Sequence, residues 1–240
     1  MTRTMRAALV SLPPLMLTSS MALAQMAKPA EHHTPRLASV SGRVTLLESQ
    51  SRRVDDVGQS IIWLASSRDV ALVPDRVTII MSDREFTPHV MVVPVGTTVS
   101  FPNRDLFNHN VFSRSAARSF DLGHYGRGDA GSIVLRRPGV VLVLCNIHAQ
   151  MSAIVVVRDN PYYTQPAADG SFRIVGVPPG DYTLHAWHER AKEFAPQSMQ
   201  IGAGGIDNLA IQLDARSHRF EQQLNEHGQP YSRVRKGRRY

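Results

Sequence analysis

The sequence predicts an all-β chain, on three observations. Short β-branched and apolar runs recur from Val40 to Leu213, bounded by Gly, Pro, Asn or Asp. Several alternate apolar and polar residues with a period of two, Thr97 to Phe101 most clearly. Helical periodicity is absent over the same span. At 240 residues the chain holds one large domain or two small ones, enough for a sizeable core.

The elements follow in order. Gln25 to Leu37 is polar and proline-containing, carries His32-His33, and reads as a linker. Ser41 to Leu47 and Ser60 to Leu64 read as strands, with Arg52 to Gln59 as the turn between them. A second set begins with Val77 to Met81 and Val90 to Val93. Thr97 to Phe101 follows, then the turn Pro102-Asn103-Arg104-Asp105 and a strand carrying His109. Ser119 to Leu122 and Ser132 to Leu135 flank a glycine-rich loop, Gly123 to Gly131. Val140 to Leu144 and Ala153 to Val157 close the set. About eight short strands with turn signals between them predict a Greek-key sandwich. A third set holds Ser171 to Ile174, Tyr182 to His188, Met199 to Ile201 and Leu209 to Leu213. Ser217 to His227 reads as a short helix, with Ser217 as cap, Phe220 and Leu224 on one face, and Gly228 and Pro230 as its stop.

The first residues have the form of a secretory signal over 1–24. Arg3 and Arg6 form the positive region, Ala7 to Leu17 the apolar one, and Ala22-Leu23-Ala24 the cleavage site. A membrane anchor needs about 20 apolar residues, more than this run or any later one supplies. The mature protein is therefore expected to be periplasmic, with no membrane span. The net charge of +7 is no nucleic-acid signal. Two of those charges belong to the leader. Five more are Arg233, Arg235, Lys236, Arg238 and Arg239, in a tail that reads as solvated. The remainder is balanced, and docking of the tail to an acidic partner or lipid surface is the functional alternative.

Cys145 is the only cysteine. In an exported chain a lone thiol pairs between chains, stays reactive or binds metal. His148 follows three residues later and Met151 three after that. A thiolate, an imidazole and a thioether on one tight loop are three of the four ligands of a blue-copper site. The other equatorial imidazole is expected from His109, in Asn108-His109-Asn110, with Asn110 tying the two ligand loops together. Such a set suits both oxidation states of copper, so little moves when an electron arrives. Thioether is not a usual zinc ligand. Haem attachment needs a second cysteine, and a Cys-His nucleophile lacks a third orienting group. No enzymatic turnover is expected. Among the other histidines, His89 reads as a partly buried structural residue and His124 as solvated. Alternation is taken to place His185 and His188 at the surface, on the face opposite Trp187.

The loop Cys145-x-x-His148-x-x-Met151 resembles that of the amicyanins; the plastocyanins and pseudoazurins have a longer last gap. Val95-Gly96-Thr97-Thr98-Val99-Ser100-Phe101-Pro102-Asn103 with His109-Asn110-Val111 is similar to the run into the first ligand of the cupredoxins. The likeness covers roughly 77–158. The layout also resembles bacterial plastocyanin-like proteins often labelled methylamine utilisation proteins. The resemblance implies a Greek-key sandwich over 75–160 and a single mononuclear copper bound by His109, Cys145, His148 and Met151. It implies electron exchange with redox protein partners, such as a dehydrogenase or a cytochrome. Ala149 and Gln150 stand where family members often carry proline or an aromatic. Asp169-Gly170-x-Phe172 and Pro178-Pro179-Gly180-x-Tyr182 resemble the transthyretin-like sandwich of carboxypeptidase regulatory domains. That second sandwich is expected over 38–66 and 164–214, with the copper domain inserted in it or packed beside it, and with 215–240 as helix and tail. A copper-holding carrier and a pure β-sandwich interaction module are the two rival functions.

Overall fold

In the computed structural model the described residues are 36–49, 55–68, 70–219 and 223–231. The leader, His32-His33, nearly all of the linker and the basic residues after Ser232 lie outside them. Apart from one 3₁₀ turn at Val57–Gln59, the regular structure of the described residues is all β.

Two strands open the described chain: β1 (Ala38–Leu47) and β2 (Ile61–Ala65). Ten follow as a block: β3 (Arg76–Thr78), β4 (Ile80–Ser82), β5 (Glu85–Thr87), β6 (Val90–Pro94), β7 (Thr98–Pro102), β8 (His109–Arg114), β9 (Ser119–Tyr125), β10 (Ala130–Val134), β11 (Gly139–Leu144) and β12 (Ser152–Arg158). The last five are β13 (Tyr163–Thr164), β14 (Ser171–Val177), β15 (Gly180–Trp187), β16 (Gln197–Ile201) and β17 (Ile206–Asp214).

Strands of the block pair only with one another. One sheet has the order β6-β12-β11-β8-β9, a second the order β10-β7-β3, and β4-β5 is a hairpin. Phe86, Val99, Phe101, Val111, Leu135, Val141, Val143 and Val155 fill the core between them. The remaining strands form two further sheets, β14-β1-β17 and β13-β2-β15-β16. Around Val40, Leu64, Phe172, Tyr182 and Leu213 they enclose a second core. This second sandwich takes strands from both sides of the block in sequence.

A third cluster joins the sandwiches. Ile61 packs with Val90, Ile154 and Val156, flanked by Trp63, Leu142 and Trp187. Ala153, Val155 and Val157 of β12 face one core, while Ile154 and Val156 face this junction. Burial on both faces is why β12 reads as an unbroken apolar run instead of an alternating one. The Arg158 guanidinium lies 4.2 Å over the Trp63 ring, which stacks on His185 at 4.9 Å.

Several expectations are corrected. Val77 to Met81 is two strands, because Ile79 turns inward between β3 and β4 and donates its N–H to the Ser100 carbonyl. The glycine-rich loop is shorter than 123–131, since β9 runs on through Tyr125 and β10 starts at Ala130. His124 is exposed as expected, but on β9 instead of in the loop. His185 shares a face with Trp187, as residues two apart on a strand must, and both point to the junction. His188 is buried, because the strand ends at Trp187 and the chain turns inward. Its Nε2 lies 3.2 Å from the Asp56 carbonyl oxygen, and its Nδ1 accepts from the Arg190 amide. No helix forms among the described residues of 217–227. Asn225 Oδ1 accepts from the amides of His227 and Gln229, and Leu224 bridges Pro230, so the chain doubles back.

A charge pair also crosses the junction. His89 Nδ1 lies 3.0 Å from the Ser152 carbonyl oxygen, and Nε2 lies 3.0 Å from a Glu189 carboxylate oxygen. With Glu189 ionised both partners accept, which favours the doubly protonated ring. The hydrogen bond to Glu189 raises the His89 pKa above its ordinary 6.5, against the opposing effect of burial. The same bond lowers Glu189 below its ordinary 4.5. A raised histidine stabilises fully below its unfolded value and loses that contribution as pH rises through its folded value; a lowered carboxylate does the reverse. The pair is therefore strongest between those two ordinary values. Glu189→Gln is expected to lower the thermal midpoint at about pH 6 and to change it little at about pH 9. Equal losses at both, in thermal unfolding followed by circular dichroism, would contradict this.

Candidate metal centre

The β11–β12 ladder builds the site. Leu144 pairs with Ser152 at its open end, so residues 145 and 151 leave it side by side. The Cys145 N–H donates to the Met151 carbonyl at 3.2 Å, and the Met151 N–H donates to the His148 carbonyl at 2.9 Å. This closes the intervening residues into a tight loop and carries His148 back over Cys145. From the neighbouring strand, β8 supplies His109 as its first residue, and Leu144 pairs with Phe112. The β8–β9 register shifts between Asn110 and Phe112, a bulge immediately after the histidine.

Three donors converge. The Cys145 Sγ lies 3.7 Å from His109 Nδ1 and 3.7 Å from His148 Nδ1. One ligand atom from each of the three residues lies within 4.8 Å of the others, a grouping that could hold a metal ion. An ion about 2.0 Å from imidazole nitrogen and about 2.3 Å from thiolate sulfur separates those donors by about 3.5 to 3.7 Å at tetrahedral to trigonal angles. The spacing fits such an ion. Cys145 and His109 are buried, and His148 is partly exposed. Met151 is also buried, in the same core cluster as Cys145, which keeps its thioether in the dry interior.

The surroundings hold each donor in place. His109 Nε2 donates to a buried Asp105 carboxylate oxygen at 2.7 Å. Asp105 in turn accepts from the amides of Asp83 and Arg84, and its own amide donates to Asn103 Oδ1. Burial works to raise the Asp105 pKa, but the bonds from His109, Arg84 and Asp83 outweigh it and leave it lowered. With Nε2 turned to Asp105, the Nδ1 of His109 faces the Cys145 sulfur. His148 has a lowered pKa, chiefly from burial and then from His109 and Arg84, which favours the neutral, ligating form. Phe107 packs against both rings, at 5.1 Å from His109 and 5.6 Å from His148. Asn110 Oδ1 accepts from the Asn146 amide at 3.3 Å, while its Nδ2 donates to Asp121 at 2.8 Å.

The structure thus brings His109, Cys145 and His148 together, sets Met151 beside them and spans the two loops with Asn110. By sequence pattern Asp105 is a turn residue, and Phe107 and Tyr231 are not among the expected site residues. An acid four residues before a ligand histidine was the available signal for Asp105. Nothing in the sequence marked Tyr231, whose hydroxyl donates to the Cys145 carbonyl at 2.7 Å.

No protein-family model matches the chain, and no curated protein does. Solved structures do. A purple cupredoxin from Nitrosopumilus maritimus is 26% identical over 34% of this chain and 98% of its own, with a TM-score of 0.31. A copper-containing nitrite reductase from Thermus scotoductus is 26% identical over 49% of this chain and only 28% of its own, with a TM-score of 0.35. A reduced Cu(I) amicyanin variant is 21% identical over 40% of this chain and 98% of its own, with a TM-score of 0.33. At TM-scores of this size the likeness carries no weight of its own; the donor atoms do.

Asp105→Asn keeps an acceptor for the two amides and removes the carboxylate from His109. It is expected to weaken copper binding by about tenfold to a hundredfold with little change in the metal-free fold. Competition against a chromophoric copper(I) chelator measures this, and an unchanged affinity would contradict it.

Proposed function

We propose that the protein binds one copper ion through His109, Cys145 and His148, with Met151 as a weaker fourth ligand, and carries single electrons between redox proteins. The convergence of two imidazole Nδ1 atoms on one thiol, each at 3.7 Å, carries this reading. Thiolate, imidazole and thioether are the soft and borderline donors that select copper and tolerate both of its oxidation states. Bound there, copper supplies a one-electron couple.

The chain's own residues would do the rest. The His109–Asp105 bond and the Asn110 bridge keep the donors where they are, so the site resists rearrangement when its charge changes. Val111 and Val143, in the same core cluster as Cys145 and Met151, exclude water from the buried side. His148 is the donor nearest the surface. Leu106 is 82% exposed and Ile147 50% exposed, and with Phe107 they make an apolar rim suited to close approach by a protein partner. A cytochrome or a dehydrogenase is the class of partner that such a rim and a one-electron couple serve. No catalytic role is assigned.

In this reading 1–24 directs export to the periplasm. Residues 75–160 form the copper domain, inserted into a transthyretin-like sandwich of 38–66 and 164–214, for which the junction around Ile61 and Ile154 serves as a buttress. Among the described residues no helix is long and apolar enough to cross a membrane.

Protein-film voltammetry of the copper-loaded protein tests the reading. One reversible one-electron wave per chain, lost in Cys145→Ser, is expected. Copper retained without a reversible wave would identify a holding protein instead.

A further inference from the structure

The turn that brings His148 back over Cys145 has a cost in backbone pairing. Leu144 pairs with Ser152, and beyond that pair the Cys145 N–H donates to the Met151 carbonyl. Residues opposed in this way in an antiparallel ladder exchange both of their bonds, so the Met151 N–H would return to the Cys145 carbonyl. It does not. It donates to the His148 carbonyl at 2.9 Å, which closes the loop and leaves the Cys145 carbonyl without its ladder partner. Cys145 is wholly buried, and a buried carbonyl with no donor is destabilising.

A residue 86 positions away fills the gap. The Tyr231 hydroxyl donates to the Cys145 carbonyl at 2.7 Å. It is presented by a turn with bonds of its own: Leu224 bridges Pro230, the Asn225 N–H donates to the Gln229 carbonyl at 2.8 Å, and Gly228 takes a φ of 74°. Two further bonds tie this turn to the metal-binding strands. The Glu226 N–H donates to Asn146 Oδ1 at 3.1 Å, and Arg114 of β8 donates to the Glu226 carbonyl at 3.3 Å. Asn146 is thereby held from two sides, since its own N–H donates to Asn110 Oδ1, next to His109.

Resting on the copper-site reading above, we propose that Tyr231 is a positioning residue for the metal loop. By donating to the Cys145 carbonyl it holds the loop in the arrangement that sets His148 against the thiol. The loop has two ways to satisfy its backbone. With the hydroxyl on Cys145, the Met151 N–H is released to His148, whose Nδ1 then lies 3.7 Å from the sulfur. Without it, the same N–H is drawn back to the Cys145 carbonyl, and the turn that carries His148 opens. The hydroxyl selects the first arrangement without itself being a ligand. The donor set thus depends on a segment outside the copper domain of 75–160, beyond the last strand of the second sandwich.

The test compares two tyrosines in the full chain. Tyr231→Phe removes the hydroxyl and keeps the ring. Tyr182→Phe is its control, because that hydroxyl also donates to a backbone carbonyl, of Pro178 at 2.8 Å, but in the second core. In the metal-free, isotope-labelled protein, Tyr231→Phe is expected to move the Met151 amide and His148 carbonyl resonances. It is also expected to weaken copper(I) binding, by competition against a chromophoric chelator, by about tenfold to a hundredfold. Tyr182→Phe is expected to leave both readouts unchanged, whatever it does to the thermal midpoint. Unmoved Met151 and His148 resonances, an unchanged copper affinity, or equal changes in Tyr182→Phe would overturn the proposal. A parent chain that takes up no copper would sink the electron-carrier reading instead, and the metal-free resonances would still decide the role of Tyr231.

Discussion

The register of β12 against β11 is the constraint on which the rest of the molecule depends. Pairing Leu144 with Ser152 sets Cys145 opposite Met151 and leaves a loop just long enough to bring His148 over the thiol. A slip of one residue would turn every β12 side chain to its other face. Here both faces are committed, Val155 and Val157 to one core and Ile154 and Val156 to the junction. The second sandwich thus helps define the geometry of the metal loop without touching the donors.

Electrostatics completes what packing begins. A buried histidine is costly unless something compensates it. Asp105 satisfies the far nitrogen of His109, and two backbone amides offset the burial of Asp105. The near nitrogens of both histidines are left facing the sulfur. Polar groups satisfied on one side and open on the other mark a site prepared for a ligand, not a filled core position.

Much of this was legible in the sequence because it is local. The spacing of Cys145, His148 and Met151 is a property of one loop, and the strand into it is an unbroken apolar run. His109 was legible through its Asn-His-Asn context and the apolar run that follows. The interruption of a second sandwich was expected from the resemblance carried by Asp169-Gly170-x-Phe172 and Pro178-Pro179-Gly180-x-Tyr182, both C-terminal to the block. What was not legible depends on long-range contact. His188 becomes a core residue only through Asp56 and Arg190, on elements more than 130 positions apart or in a turn after the strand has ended. Ser217 to His227 has helical spacing, but the Asn225 side chain captures the backbone and reverses it. Tyr231 reaches the ligand loop across 86 positions, a contact no local pattern encodes.

Spectroscopy of the copper(II)-loaded protein tests the central claim most directly. A titration should give an intense visible thiolate-to-copper band that saturates at one equivalent per chain and is absent from Cys145→Ser. A colourless complex, or a band that survives the loss of Cys145, would contradict the assignment of this loop as the copper site.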